Sequence, residues 1–330
     1  ARGKPNFKKF ESSWVEKRAY IDNALNVLED SPLADEARKR LESIRPQEPQ
    51  LKEWVKFEGP TLSLENENLR VIFDPVSAEI TSLVYRSDGQ EWCSPVQRMA
   101  SYACQTFSSA DYDRFIHQYI LPSMQTSGWA LEDFGKPGLE KASPVNKVWH
   151  PKVEAVYLPG DSKITSMLFK LGFEDDAVKR YGAPRVTWLR FTLTPGLSRL
   201  NIDLQWFHKS PCRMPEALWL GFTPVNSQSL EWKMEKLGKW LSPLSIVENG
   251  NRHLHAVGRG VTGSIGDKKI AISPLDSALV APGEPSLLDF NNHQPDLSKG
   301  MHFCLLDNLW GTNFPMWFEE DCRFRFVVEV

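Results

Sequence analysis

The chain has 330 residues, 41% of them hydrophobic and 25% charged, and a formal net charge of -3. That length can bury a large core, and the near-neutral balance argues against nucleic acid or another polyanion as partner. Its 23 Pro and 20 Gly imply many turns, so strands should dominate over long helices.

In chain order, the one convincing helical stretch spans residues 10–45. Ser13 followed by Glu16 fits a capping box, and Trp14, Ile21, Leu25 and Leu28 then share one face. Ser31 and Pro32 restart the pattern as N-cap and first helical residue, and Leu33, Ala37, Leu41 and Ile44 make a second stripe. Pro46 stops it. The spacing predicts a helical hairpin over residues 1–50 whose apolar faces demand a partner, because two short helices make a poor core alone. The chain opens Ala1-Arg2-Gly3-Lys4, as though an upstream segment had been removed or belonged to another chain.

From Trp54 the period changes to two. Leu62, Leu64, Leu69, Val71 and Phe73 alternate with polar residues, and Asp74-Pro75 and Asp88-Gly89 mark turns. Later strands are expected at 164–172, 186–194, 199–207, 217–223, 254–259, 269–273, 301–306 and 323–330. No regular alternation with long helices appears, which disfavours a parallel α/β domain. The fold class expected for 51–330 is therefore mainly β, a large antiparallel β-sandwich. Residues 105–160 are the least periodic. There, Asp111-Tyr112-Asp113-Arg114 suits a protruding loop over a cleft or against a partner.

The five cysteines lack CxxC spacing, so a zinc knuckle is not expected; buried thiols are, with one disulfide still open. No stretch has the apolar length to cross a bilayer, so no membrane partner is expected. Gly258 to Gly263 has closely spaced glycines without a following helix and reads as a turn, not a phosphate loop. His253-Leu254-His255 would put two imidazoles on one strand face, yet no third ligand is near in sequence, and no metal site is assigned. A Ser/His/Asp set cannot be named either.

The densest chemistry lies in Asp307-Asn308-Leu309-Trp310-Gly311-Thr312-Asn313-Phe314-Pro315-Met316-Trp317. Trp310 and Trp317 can stack on the apolar face of a sugar, and Asn308 and Asn313 can donate to and accept from vicinal hydroxyls. Core packing for the Trp and turn capping for the Asn are the alternative roles. Asp307, between an apolar strand and this loop, is the candidate catalytic carboxylate; Glu319, Glu320 and Asp321 read as a charged turn. Asn292 and His293, in a polar cluster before the last two strands, are candidate substrate contacts.

Six segments in three regions carry a family resemblance. Leu62 to Asn66, Leu69 to Pro75 and Ile80 to Leu83 resemble the opening of the C-terminal sandwich of α-mannosidase-like glycoside hydrolases, family 38. Phe10 to Trp14 and Arg18 to Ile21 are similar to the end of the helical bundle before it. Asn308 to Pro315 resembles a C-terminal signature of a mostly microbial and fungal branch related to that family. The resemblance implies a galactose-mutarotase-like supersandwich and the C-terminal portion of a larger glycosidase. In that family an N-terminal barrel supplies the zinc and the nucleophile. No residue here matches them, so no cofactor is expected in this chain and zinc is expected in the barrel. Carbohydrate, and an upstream segment or second polypeptide carrying the barrel, are the implied partners. A non-catalytic carbohydrate-binding or assembly module and an autonomous sugar lyase or epimerase are the alternatives. Both secretion and a cytoplasmic location suit the cysteine usage.

Overall fold

The computed structural model describes residues 3, 5–29, 31–160, 165–311 and 316–330. The chain is mainly β: an antiparallel sandwich preceded by a helical hairpin. It divides into two compact units, Ala1–Gln47 and Glu48–Val330.

The first unit is α1 (Pro5–Val27) and α2 (Pro32–Ile44). Ser31 caps α2 as its sequence requires: the side chain accepts from the Ala34 amide at 3.3 Å, with Pro32 in the first turn. The expected cap at Ser13 is corrected. α1 begins at Pro5, so Ser13 lies inside the helix. Ile21, Leu25, Leu41 and Ile44 line an open groove between the helices.

Among the described residues of the second unit, the strands form two ten-stranded sheets, and every pairing is antiparallel. The centre of the first sheet is Ser166–Gly172, Val186–Leu193, Arg199–Phe207 and Cys322–Glu329. The centre of the second is Leu279–Pro282, Met301–Asn308, Glu216–Phe222 and Met99–Thr106. The facing sides interdigitate through aromatic rings. Phe73 meets Phe169 at 5.4 Å and Phe191 at 4.6 Å, while Phe326 meets Phe303 at 5.2 Å and Phe222 at 5.7 Å. Such offset and edge-on contacts add to the area term of burial.

Helices are not confined to the hairpin, which corrects the expectation for 105–160. α3 (Ser109–Tyr119) covers the outer face of the second sheet, α4 (Gly128–Asp133) packs on α3 and the residue after it, and α5 (Asp175–Tyr181) follows a strand of the first. Asp111 is therefore not a loop residue. It caps α3, accepting from the Ser108 amide and hydroxyl, both at 2.8 Å. The proposed turn at 258–263 runs into the strand Val261–Ile265. All five cysteines are free. No described helix is long and apolar enough to cross a membrane.

Candidate functional site

One strand, Met301–Asn308, divides its chemistry between two faces. In its first half Phe303 pairs with Leu220 on the inner face and Cys304 with Trp219 on the outer face. Leu305 is then left unpaired as a β-bulge, and pairing resumes with Leu306 opposite Leu218 and Asp307 opposite Ala217. Directly paired residues share a face. Strict alternation from Phe303 would turn Asp307 into the core; the bulge turns it outward, into a cluster with Ala217, Trp219 and Cys304 beneath α3.

α3 is held over that face at several points. The Tyr112 hydroxyl donates to the Leu309 carbonyl at 2.8 Å, Arg114 donates to the Leu288 carbonyl at 3.2 Å, and Gln118 accepts from the Phe290 amide at 2.7 Å. Phe115 and Tyr119, four residues apart on one helical face, project over the sheet and stack at 5.2 Å. Tyr119 meets Phe134 at 5.6 Å and Phe290 at 5.1 Å, and Trp310 meets Phe115 at 5.3 Å. Gly311 fixes the other side. Its amide donates to the Asp133 carbonyl at 3.2 Å, and a Cβ there would lie 2.2 Å from the Glu132 carbonyl oxygen. Only glycine lets this loop press against the end of α4.

Between these elements lies a cavity of about 500 Å³. Phe115, Tyr119, Phe134, Phe290 and Trp310 form its aromatic walls, and Asp133, Asp289, Asp307, Asn251, His253 and Ser286 are its polar lining. Asp307 is half-buried, and among the described residues its side chain has neither hydrogen bond nor ion pair. Burial pushes its carboxyl above the ordinary range, partly offset by the charge of Lys136. Asp289 accepts from Asn291 Nδ2 at 3.0 Å and lies 3.9 Å from Arg114. Asn291 Oδ1 also accepts from the His293 amide at 2.8 Å and lies 3.3 Å from His253 Nε2, so that ring nitrogen is the donor.

The residues picked out in the sequence part company here. Asp307 and Trp310 line the cavity. Asn308 does not: it faces inward, buried, with its carbonyl accepting from Lys136 at 2.8 Å and its amide donating to the Cys212 carbonyl at 3.0 Å. Asn292 is exposed and pairs with Asn249, away from the lining. His293 is exposed, with its amide on Asn291, and also stands outside the lining. Trp317 is half-buried and does not contribute to it. Asn313 lies outside the described residues. Sequence reading missed Asp133 and Asp289, and it considered His253 only as half of a histidine pair. The pair is broken in the fold: His255 sits in a short strand, its buried Nε2 has no partner among the described residues, and burial lowers its pKa to about 4. Among the described residues no group of three or more His, Cys, Asp or Glu could hold a metal ion.

Behind the cavity, Asn308 belongs to an interior polar cluster. Lys209 and Glu216 are fully buried and joined at 2.6 Å, and Lys209 also donates to the Gly182 carbonyl at 2.7 Å. Burial raises the Glu216 carboxyl, opposed by the Lys209 charge and hydrogen bond. Lys136 is buried too, and desolvation pulls its pKa down to about 7.

A sequence profile described as Domain of unknown function (DUF5054) matches residues 1–201. No curated protein matches the chain. In three dimensions the chain is similar to an alpha-mannosidase from Enterococcus faecalis V583, with a TM-score of 0.50 at 8% identity. The likeness covers 83% of this chain and 30% of that one, so this chain spans under a third of the mannosidase. It is also similar to a galactose mutarotase-like protein from Lactobacillus casei ATCC 334, with a TM-score of 0.46 at 11% identity over 82% of this chain and 99% of that one. A protein in the Glycosyl Hydrolase Family 38 from Enterococcus faecalis gives 0.44 at 9% identity over 83% and 31%. At these identities the likeness shows the fold.

Proposed function

The chain belongs to the DUF5054 family, and from that premise we propose that its sandwich binds a carbohydrate ring in the cavity beneath α3. The observation that carries this reading is the lining. Five aromatic side chains and a small set of polar groups line a half-open cavity of about 500 Å³, a volume suited to a small ligand. Aromatic walls take the apolar face of a pyranose, and carboxylates, an amide, a hydroxyl and an imidazole beside them bond its hydroxyls in fixed directions.

In this reading the chain is the C-terminal portion of a family 38-like glycosidase, and the hairpin is the end of its helical bundle. A barrel on an upstream segment or second polypeptide supplies the nucleophile and binds zinc, whose chemistry there is to polarise and orient the substrate. This chain's own residues bind and orient the ring. Sugar titration of the purified chain, followed by ligand-detected NMR, tests the core of the proposal. Binding is expected, and Trp310→Ala should weaken it by about tenfold, the loss of one aromatic wall. No binding of any monosaccharide would reject the carbohydrate reading. Turnover appearing only when the barrel polypeptide is added separates the glycosidase portion from a free-standing binding module.

One observation favours a second reading, an autonomous epimerase or lyase. Among the described residues, Asp307 is an unpartnered, half-buried carboxyl facing the cavity, and burial holds it nearer to neutral pH than an exposed aspartate. Such a group can exchange a proton with a sugar. Turnover of a free sugar by the isolated chain, abolished by Asp307→Asn, would establish it.

A further inference from the structure

We propose that the cavity selects a sugar bearing a free amino group, bound as its ammonium ion, over neutral and acidic sugars. This rests on the reading of the cavity as a sugar site, and it adds the charge of the ligand. The half-open cavity is walled by aromatic rings, and three carboxylates line it from separate segments: Asp133 at the end of α4, Asp289 from a loop, and Asp307 from the bulged strand. Among the described residues, no lysine or arginine lines it.

The nearest cations are already engaged. Arg114 is 3.9 Å from Asp289 but holds Asp111 at 3.0 Å and the Leu288 carbonyl at 3.2 Å. The Lys136 ammonium points to Asn308 Oδ1 at 2.8 Å and the Met316 carbonyl at 3.3 Å. Among the described residues, the side chains of Asp133 and Asp307 have no hydrogen bond or ion pair. Ionised carboxylates only accept, so beside these three acids a neutral hydroxyl can use its proton but not its oxygen. An ammonium group supplies three donors and a charge, giving short charge-assisted bonds to the free carboxylates. The faces of Tyr119, Phe290 and Trp310 add cation–π attraction. A uronate or sugar phosphate would meet like charge.

The experiment is calorimetric or NMR titration of the full chain with glucosamine, N-acetylglucosamine, glucose and glucuronate at low and moderate salt. Glucosamine is expected to bind about tenfold tighter than glucose or more. N-acetylation, which removes the charge, should abolish the advantage, added salt should erode it, and glucuronate should not compete. This comparison uses the unmodified chain, so it does not depend on a variant folding. Asp133→Asn with Asp307→Asn should shrink the preference for glucosamine over glucose, read as the ratio of the two dissociation constants in the same variant. Equal affinity for the free and acetylated amines, or tighter binding of glucuronate, overturns the amino-sugar proposal and leaves the sugar site intact. Binding of none of the four overturns both.

Discussion

The two faces of the second sheet follow different rules. Its inner face packs Phe222 and Phe303 against the other sheet, with each buried ring held by neighbours on all sides. The outer face carries Ala217, Trp219 and Cys304 under a thin cover of α3, α4 and loops, and it keeps a cavity. Filling a gap would stabilise the fold, so an aromatic-walled cleft that keeps two carboxylates unpaired among the described residues is a feature that stability alone does not produce. Stability should therefore reside on one face and ligand binding on the other.

The sharpest break in that comparison is Phe303→Ala. Emptying the inter-sheet space should cost about 3–5 kcal/mol in denaturant unfolding, whereas Trp310→Ala on the cavity side should cost much less. Equal losses would erase the distinction. A second test addresses the polar cluster between the faces. Lys209→Met alone leaves Glu216 buried and uncompensated and should cost about 3–5 kcal/mol, while adding Glu216→Leu should recover most of it. A double variant no better than the single would show that the pair itself stabilises the fold.

Lys136 gives a pH signature. Between about 7 and the ordinary lysine value the folded chain has released a proton that the unfolded chain still holds. Stability should then rise with pH through that window, at up to about 1.4 kcal/mol per pH unit. Below about 7 both states are protonated and the burial cost is fully felt. Urea unfolding of the native chain and Lys136→Met at pH 6 and 9 should show the native chain gaining on the variant. A difference that does not change with pH would refute the assignment. The smallest expected effect is that of Gly311→Ala, about 1–3 kcal/mol from overpacking against the end of α4. Amide exchange should accelerate in α4 and not in the inter-sheet strands; uniform acceleration would mean that the cover and the sandwich unfold as one.

Much of the sandwich was legible because its strands are two-sided. Arg199–Phe207 alternates polar and apolar residues from Arg199 to Trp206, and it and Val186–Leu193 were read nearly to the residue. Ser31-Pro32 was legible because a cap is a local event. α3 was not read, although Tyr112, Phe115, Ile116 and Tyr119 stand at helical spacing, because serine and aspartate around them suggested a loop. The site was half legible. Trp310 and Asp307 announced themselves in an unusual run, but Asp133, His253 and Asp289 come from distant segments and meet only after folding. Asn308 looked equivalent to its neighbour, and alternation sends it to the opposite side of the sheet.

The unpaired Leu305 also bears on how relatives of this chain should be compared. The strand carries one residue more than its ladder uses, so Phe303 and Asp307, four apart in sequence, belong to opposite faces. A relative lacking one residue between Cys304 and Leu306 would lose the bulge yet keep its aspartate outward and its asparagine inward. An alignment that forbids a gap there would match carboxylates to core positions, and the cavity residue would look unconserved where it had only changed its number.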